Sequence, residues 1–283
     1  MYPYKILGFI NLYGLMIGIG IAVCFVVLWT FSKRNHVESR FTDFVTLNAI
    51  VSIVVGFLSA SLFQSIYDYI EDPSQGFQFN GGLTFIGGLI GGAVCFLIIY
   101  FIFRKKYQSR LIDVISILPC SILVAHAFGR VGCFFAGCCY GKPTDSIFGI
   151  QFVGMTQKVY PTQLFEAIFL FVLFGICAFL FLKKKFAYNM PVYLIGYGIF
   201  RFLIEYIRDD DRGGFVPGMS PSQFWGLVMV VLGIVLIFTM RPIVARRKAY
   251  LAEHPIVETP EKSLKESYAE WKAKRAEKKD KQK

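Results

Sequence analysis

Long apolar runs, broken by short polar segments, fill the first 240 residues of the chain. Seven of them approach the roughly 20 residues that a helix needs to cross a bilayer. They cover 7–30, 45–66, 82–103, 111–129, 163–182, 189–207 and 221–240. Lipid offers no partner to a bare amide or carbonyl, so each run is expected to be helical. The pattern predicts an all-α, polytopic membrane protein with seven transmembrane helices over 1–240. A tail rich in Lys, Glu and Ala follows over 241–283. The first run is too long for a cleaved signal peptide and lacks a clear small-residue cleavage site, with Lys5 the only charge before it.

Composition agrees with the pattern. Hydrophobic residues make up 55% of the 283 and charged residues only 17%, against about a quarter in ordinary soluble domains. The net charge of +11 would suit a nucleic-acid binder, but its distribution does not. Lys and Arg concentrate in the loops 31–44, 104–110 and 183–188 and in the tail, where Arg241 is the first of thirteen. The alternate loops are poor in positive charge: 67–81 carries Asp68, Glu71 and Asp72, and 208–220 carries Asp209, Asp210 and Asp211 against Arg208 and Arg212. The positive-inside rule then puts the N-terminus outside and the C-terminus in the cytoplasm. The tail, with Glu270 and Lys274 at helical spacing, is expected to be solvated or partly helical against anionic lipid heads.

Polar residues inside the apolar runs carry the chemistry. Tyr197, Arg201, Glu205 and Arg208 fall at spacings of 4, 4 and 3, one stripe on a helix. The stripe suits either helix-to-helix pairing through Glu205 or a wet cavity in which an arginine faces an anion. The planar guanidinium fork matches a phosphate. A second concentration, HAFGRVGCFFAGCCYG over 126–141, holds Arg130 and His126, the latter either a core histidine bonded to nearby backbone or a catalytic group, among Gly129, Gly132, Gly137 and Gly141. Its glycine density predicts a chain that bends tightly at membrane depth. Cys133, Cys138 and Cys139 match no zinc spacing and read as small buried residues or a disulfide. In GGLTFIGGLIGG, Gly87 with Gly91 and Gly88 with Gly92 form small-xxx-small pairs that predict close helix packing. Tyr160-Pro161-Thr162-Gln163 with Glu166, the pair Ser222 and Gln223, and Tyr13 in NLYG complete the set. The topology gathers most of these residues toward the outer face as one polar pocket, with Arg130 and Arg201 as anion holders. An anionic phospholipid suits it, its tails staying in lipid.

LYGLM, GGLTFIGGLIGG, GRVGCFFAGCCYG, YPTQLFEA, YGIFRFLIEYIRDDDRG and MSPSQ stand in that order. The chain thereby resembles the prolipoprotein diacylglyceryl transferases up to about residue 240. The resemblance implies a seven-helix enzyme of the bacterial plasma membrane that needs no metal or other cofactor. It implies phosphatidylglycerol as donor, the lipobox cysteine of a preprolipoprotein as acceptor, and glycerol phosphate as the released product. The family's essential arginines fall on Arg130 and Arg201, and its tyrosine one turn before the second falls on Tyr197. Glu205, Arg208, Tyr13 and Gly141 fall on further family positions. Gly87, Gly88 and Gln163 are expected to bind substrate with them. Two positions depart: the usual histidine, regarded as a catalytic base, falls on Ile86, and the usual asparagine and glutamate of the signature loop fall on Cys133 and Cys138.

The resulting expectation is catalysis by Arg130, Arg201, Tyr197 and His126, with the thiol's proton going to His126, Tyr197 or the lipid phosphate. Other readings are a transferase with another acceptor, a non-enzymatic phospholipid binder, or a thiol oxidoreductase built on the three cysteines.

Overall fold

The structure is a computed structural model that describes residues 11–79, 82, 84–208 and 218–257. Among them the chain forms α1 (Leu12–Arg34), α2 (Ser39–Glu71), α3 (Phe85–Phe103), α4 (Leu111–Val114), α5 (Leu118–Ala136), α6 (Thr162–Lys184), α7 (Asn189–Ile204) and α8 (Pro221–Glu253). Seven of these, all but α4, give helices long and apolar enough to span a membrane, as the hydropathy pattern predicts. Lys5, Asp209, Asp210, Asp211, Arg212 and the tail pair Glu270 and Lys274 lie outside the described residues.

Local chemistry sets the helix ends. The Asn11 side chain caps α1 by accepting from the Gly14 amide at 2.7 Å. Ser220 caps α8 in a reciprocal box with Gln223, and Pro221 takes a first-turn position. Pro119 does the same in α5, so the fourth span begins at Leu118 and not at 111. Residues 111–114 form a separate turn, α4. The expected tight bend over 126–141 is corrected in the same way. Gly129 and Gly132 are helical, and the chain turns only at Gly137, whose φ of 66° closes α5. Arg130 therefore lies within the helix. The last span also runs on past 240, through Pro242, to Glu253.

Small residues form the seams. A Cβ on Gly87 would stand 2.5 Å from Cβ of Phe63, and one on Gly91 would overlap the Ser59 side chain. Gly88 and Gly92 face the backbone of α2 at Gly56 and Ser52. The predicted small-xxx-small pairing is thus the α2–α3 contact. Gly198 and Gly226 let α7 and α8 touch backbone to backbone. Gly20 and Gly132 do the same for α1 and α5, against Phe128 and Tyr13.

Val27, Leu123, Leu170, Leu173 and Tyr197 share one core among α1, α5, α6 and α7. The α2–α3 hairpin joins this bundle through a second core at one end, where Phe41, Val45 and Tyr100 meet Val114, Ile117 and Phe181. That end is also tied by Arg247 of α8, which reaches Asp113 at 2.6 and 2.9 Å. Two cavities of about 510 and 500 Å³ flank this pair. Both lie at the opposite end of the helices from the buried polar residues described next. Exposed Leu47, Phe57, Leu58, Ile102 and Phe238 cover the outside, as a lipid-facing belt requires.

Gly91→Val tests the α2–α3 seam. The added methyls meet Ser59 and are expected to cost about 1–3 kcal/mol, lowering the unfolding midpoint in detergent. Gly175→Ala, where nothing lies within 4 Å of a Cβ, should hold or slightly raise the midpoint, because alanine favours a helix interior over glycine.

Candidate active site

Glu166 stands one turn into α6 with no solvent exposure. Its Oε1 accepts the hydroxyl of Tyr197 at 2.7 Å. Arg130 Nε lies 3.1 Å from its Oε2. His126 Nε2 lies 3.7 Å from its Oε1. His126 and Arg130 are one turn apart on α5, so one face of that helix supplies both. The His126 ring also meets the Tyr197 ring edge-on at 5.1 Å. A buried carboxylate is tolerated only when paired, and here three side chains from two helices pair it.

Glu205, in a 3-10 turn that extends α7 over Glu205–Ile207, forms the second centre. Its Oε2 lies 3.0 Å from Arg201 Nη2 and 3.7 Å from Arg208 Nε. Its Oε1 accepts from Ser220 Oγ at 3.0 Å. Arg201 Nη2 also donates to Ser222 Oγ at 2.7 Å. The contact follows from the Gly198–Gly226 approach, because each of these two residues lies about one turn along its helix from the glycine crossing. Arg201 Nη1 is buried and makes no hydrogen bond among the described residues. Both Arg130 and Arg201 act electrostatically on Glu166, so the two centres adjoin.

The loop after α5 closes over this region. Gln163 Nε2 donates to the Cys138 carbonyl at 3.1 Å, and Thr162 Oγ1 donates to that of Cys139 at 2.8 Å. The Gly141 amide donates to Tyr160 O at 2.8 Å and Lys142 N to Ile207 O at 2.9 Å. A Cβ on Gly141 would overlap Ile207 O and stand 2.7 Å from Thr162 Cγ2. Only a glycine lets this loop reach the turn that carries Arg208.

The structure thus brings together Arg130, Arg201, Tyr197, His126, Glu205 and Arg208, with Gln163 and Gly141 in the loop beside them. Tyr13 packs on Gly132, one residue before Cys133. Gly87 and Gly88 lie apart, in the α2–α3 seam. The three cysteines are free. Reading all of them as buried packing residues is corrected, because Cys138 is exposed and the other two are half-buried. The chain turns there beside the site, outside the core. The neighbouring Cys133 and then Cys138 thiols, aided by Arg130 and Arg208, lower the Cys139 thiol from its ordinary range.

Residues 4–239 match the family described as prolipoprotein diacylglyceryl transferase. The chain belongs to the prolipoprotein diacylglyceryl transferase family. A Clostridium tetani relative named phosphatidylglycerol–prolipoprotein diacylglyceryl transferase is 32% identical over 243 residues, covering 83% of this chain and 93% of the relative. A Clostridium perfringens protein with that name and the number 2 is 33% identical over 235 residues, covering 79% and 88%. A Nitrosospira multiformis relative is 30% identical over 257 residues, covering 84% and 86%. Within this family frame, Glu166 is the residue that sequence reasoning noticed but left without a role. It is the one carboxylate of Thr162–Lys184, in a stretch otherwise apolar from Leu164 to Leu182. An intramembrane ionisable residue is by itself a pointer to function.

Two substitutions test the scaffold. Glu166→Ala strips Arg130 of its buried counter-charge and is expected to cost about 3–5 kcal/mol, read as a lower unfolding midpoint. Gly141→Ala is expected to remove at least nine-tenths of activity by pushing the loop off Ile207. Full activity there would show that the loop yields.

Proposed function

We propose that this protein transfers the diacylglyceryl group of phosphatidylglycerol to the lipobox cysteine thiol of preprolipoproteins and releases glycerol phosphate. The observation that carries the reading is Arg201. Its Nη2 is anchored by Ser222 and Glu205, and its Nη1 is buried with no hydrogen bond among the described residues. Such a donor beside a second guanidinium, Arg130, fits a phosphate oxygen. The seven-span family membership and the names of the relatives support the substrate pair.

In this reading the protein sits in the bacterial plasma membrane with its N-terminus outside and its site toward the outer leaflet, and 241–283 is a cytoplasmic tail. The charge distribution among loops supports that orientation. The lipid phosphate takes the donors of Arg130 and Arg201, which stabilise charge as it grows on the leaving phosphate. Their field also favours the thiolate form of the acceptor. Glu166 holds Arg130, Tyr197 and His126 in register. His126 is the imidazole of the network and exchanges the proton between thiol and leaving group. Tyr13, Gln163, Glu205, Arg208 and Gly141 shape the pocket, and Gly87 and Gly88 keep the α2–α3 hairpin tight beside the lipid chains.

The test mixes purified protein with phosphatidylglycerol and a lipobox peptide and follows glycerol phosphate and peptide mass together. Equimolar release and a diacylglyceryl mass gain on cysteine are expected. Binding of the lipid without release would show a binding protein. Arg130→Ala and Arg201→Ala should each lower turnover by roughly 10²–10³, as loss of one transition-state donor does. A rate above a tenth of wild type would count against the role given to that arginine. His126→Gln should slow the thiol step, and an unchanged rate removes it from the mechanism.

A further inference from the structure

Three cysteine sulfurs meet at the rim of this site, and the reaction above gives them no task. Cys133 lies three residues after Arg130 on α5, so both project from one face of the helix. The chain then reverses through two left-handed residues, Gly137 at φ 66° and Cys139 at φ 63°. That conformation costs a cysteine roughly 1–2 kcal/mol, so something outside the turn must hold it. Thr162 and Gln163, both fully buried at the start of α6, do so through the carbonyls of Cys139 and Cys138. The turn folds two thiols back over the third. The three Sγ atoms lie within 4.8 Å of one another.

Zinc–thiolate bonds are about 2.3 Å, so three sulfurs around one ion stand about 4 Å apart. The thiols are already gathered near that spacing, with Cys138 on the open side. Three protein ligands and an open fourth position are the pattern of a catalytic zinc, whereas closed four-ligand sites are structural. Three thiolates and a dication carry one net negative charge. Arg130 and Arg208, both in electrostatic reach of Cys139, are placed to offset it.

We propose that Cys133, Cys138 and Cys139 bind one Zn²⁺ whose open position takes and activates the acceptor cysteine. This rests on the transferase reading, and departs from the metal-free reaction that the family resemblance implies. On coordination the acceptor thiol passes its proton to His126, which returns it to the leaving phosphate, and becomes a zinc-bound thiolate. Its sulfur attacks the glyceryl carbon. The S–C bond forms as the C–O bond to phosphate breaks, with that electron pair leaving on the phosphate. The departing glycerol phosphate takes up a proton, and the thioether, a poor ligand, leaves the metal. No oxidant or reductant enters. Nucleophile and leaving group are thereby held on neighbouring turns of α5, by Cys133 and Arg130.

The full chain, purified in mild detergent with reductant, is loaded with Co²⁺ as a spectroscopic stand-in. One equivalent per chain is expected, with a sulfur-to-cobalt charge-transfer band that Zn²⁺ abolishes. The cobalt ligand-field bands should change when a lipobox-type cysteine peptide is added, and not with its serine counterpart. Cys138→Ser and Cys139→Ser should each weaken zinc binding at least tenfold and lower glycerol phosphate release in step. The cobalt response needs no turnover, so a responding site in a protein without transfer would sink the transfer reaction alone. The zinc proposal is overturned by any of three results: metal content no higher than in the triple serine variant, a disulfide in thiol counts on protein extracted without reductant, or full turnover after the metal is stripped.

Discussion

The pairing of Glu166 with Arg130 fixes more of this molecule than any apolar contact does. A carboxylate with no exposure in a membrane-spanning helix is costly unless it is paired and hydrogen-bonded. Glu166 meets that condition by drawing Arg130 and His126 from α5 and Tyr197 from α7. The register of three helices is therefore set by one oxygen pair as well as by Leu123, Leu170 and Leu173 around it. The same helix end carries Thr162 and Gln163, one turn earlier, which hold the cysteine loop. A shift of α6 would move the carboxylate and the loop together.

Short side chains can make these contacts because glycine lets the helices approach. Ser222 reaches Arg201 at 2.7 Å only where Gly198 and Gly226 bring α7 and α8 into backbone contact. Lipid tails are as apolar as leucine, so helices in a bilayer associate through close packing and polar contacts. The α7–α8 crossing uses both within two turns. The α2–α3 hairpin relies on small residues and the Ser59 hydrogen bond to Gly87 O at 2.8 Å. It keeps the charged groups of the site out of its seam.

Much of this was legible in the sequence, for physical reasons. Span number and helix class follow from apolar length, and the Tyr197–Arg208 stripe follows from helical spacing, so both appear in the structure where periodicity puts them. The start of α5 was misread because hydropathy cannot see that residues 111–114 turn before Pro119. The glycines of 129–141 were read as a bend because composition does not distinguish a glycine needed for φ from one needed for close approach. Gly137 is the first kind, and Gly132, packed on Tyr13, is the second. The partners of Glu166 were illegible because they come from helices 31 to 40 residues away in either direction. The convergence of three thiols was hidden for a similar reason. The Cys133-to-Cys138 interval fits no zinc spacing, and the left-handed turn that closes it is a property of the backbone.

Two arginines tied to two glutamates are not thereby spent, and the arrangement suits anion binding. A guanidinium has five donors in a fixed fork, and one carboxylate oxygen engages few of them. Arg201 commits Nη2 to Glu205 and Ser222 and leaves Nη1 buried without a hydrogen bond among the described residues. The glutamates hold each charge in place in the absence of ligand, so binding a phosphate requires no new ordering of a long side chain. A lone arginine at this depth would cost at least about 2.5–3.5 kcal/mol and would swing toward water. The acid partners convert that cost into a preorganised donor. In the proposed reaction the energy of phosphate binding is then available to stabilise developing charge, which is where binding energy accelerates chemistry.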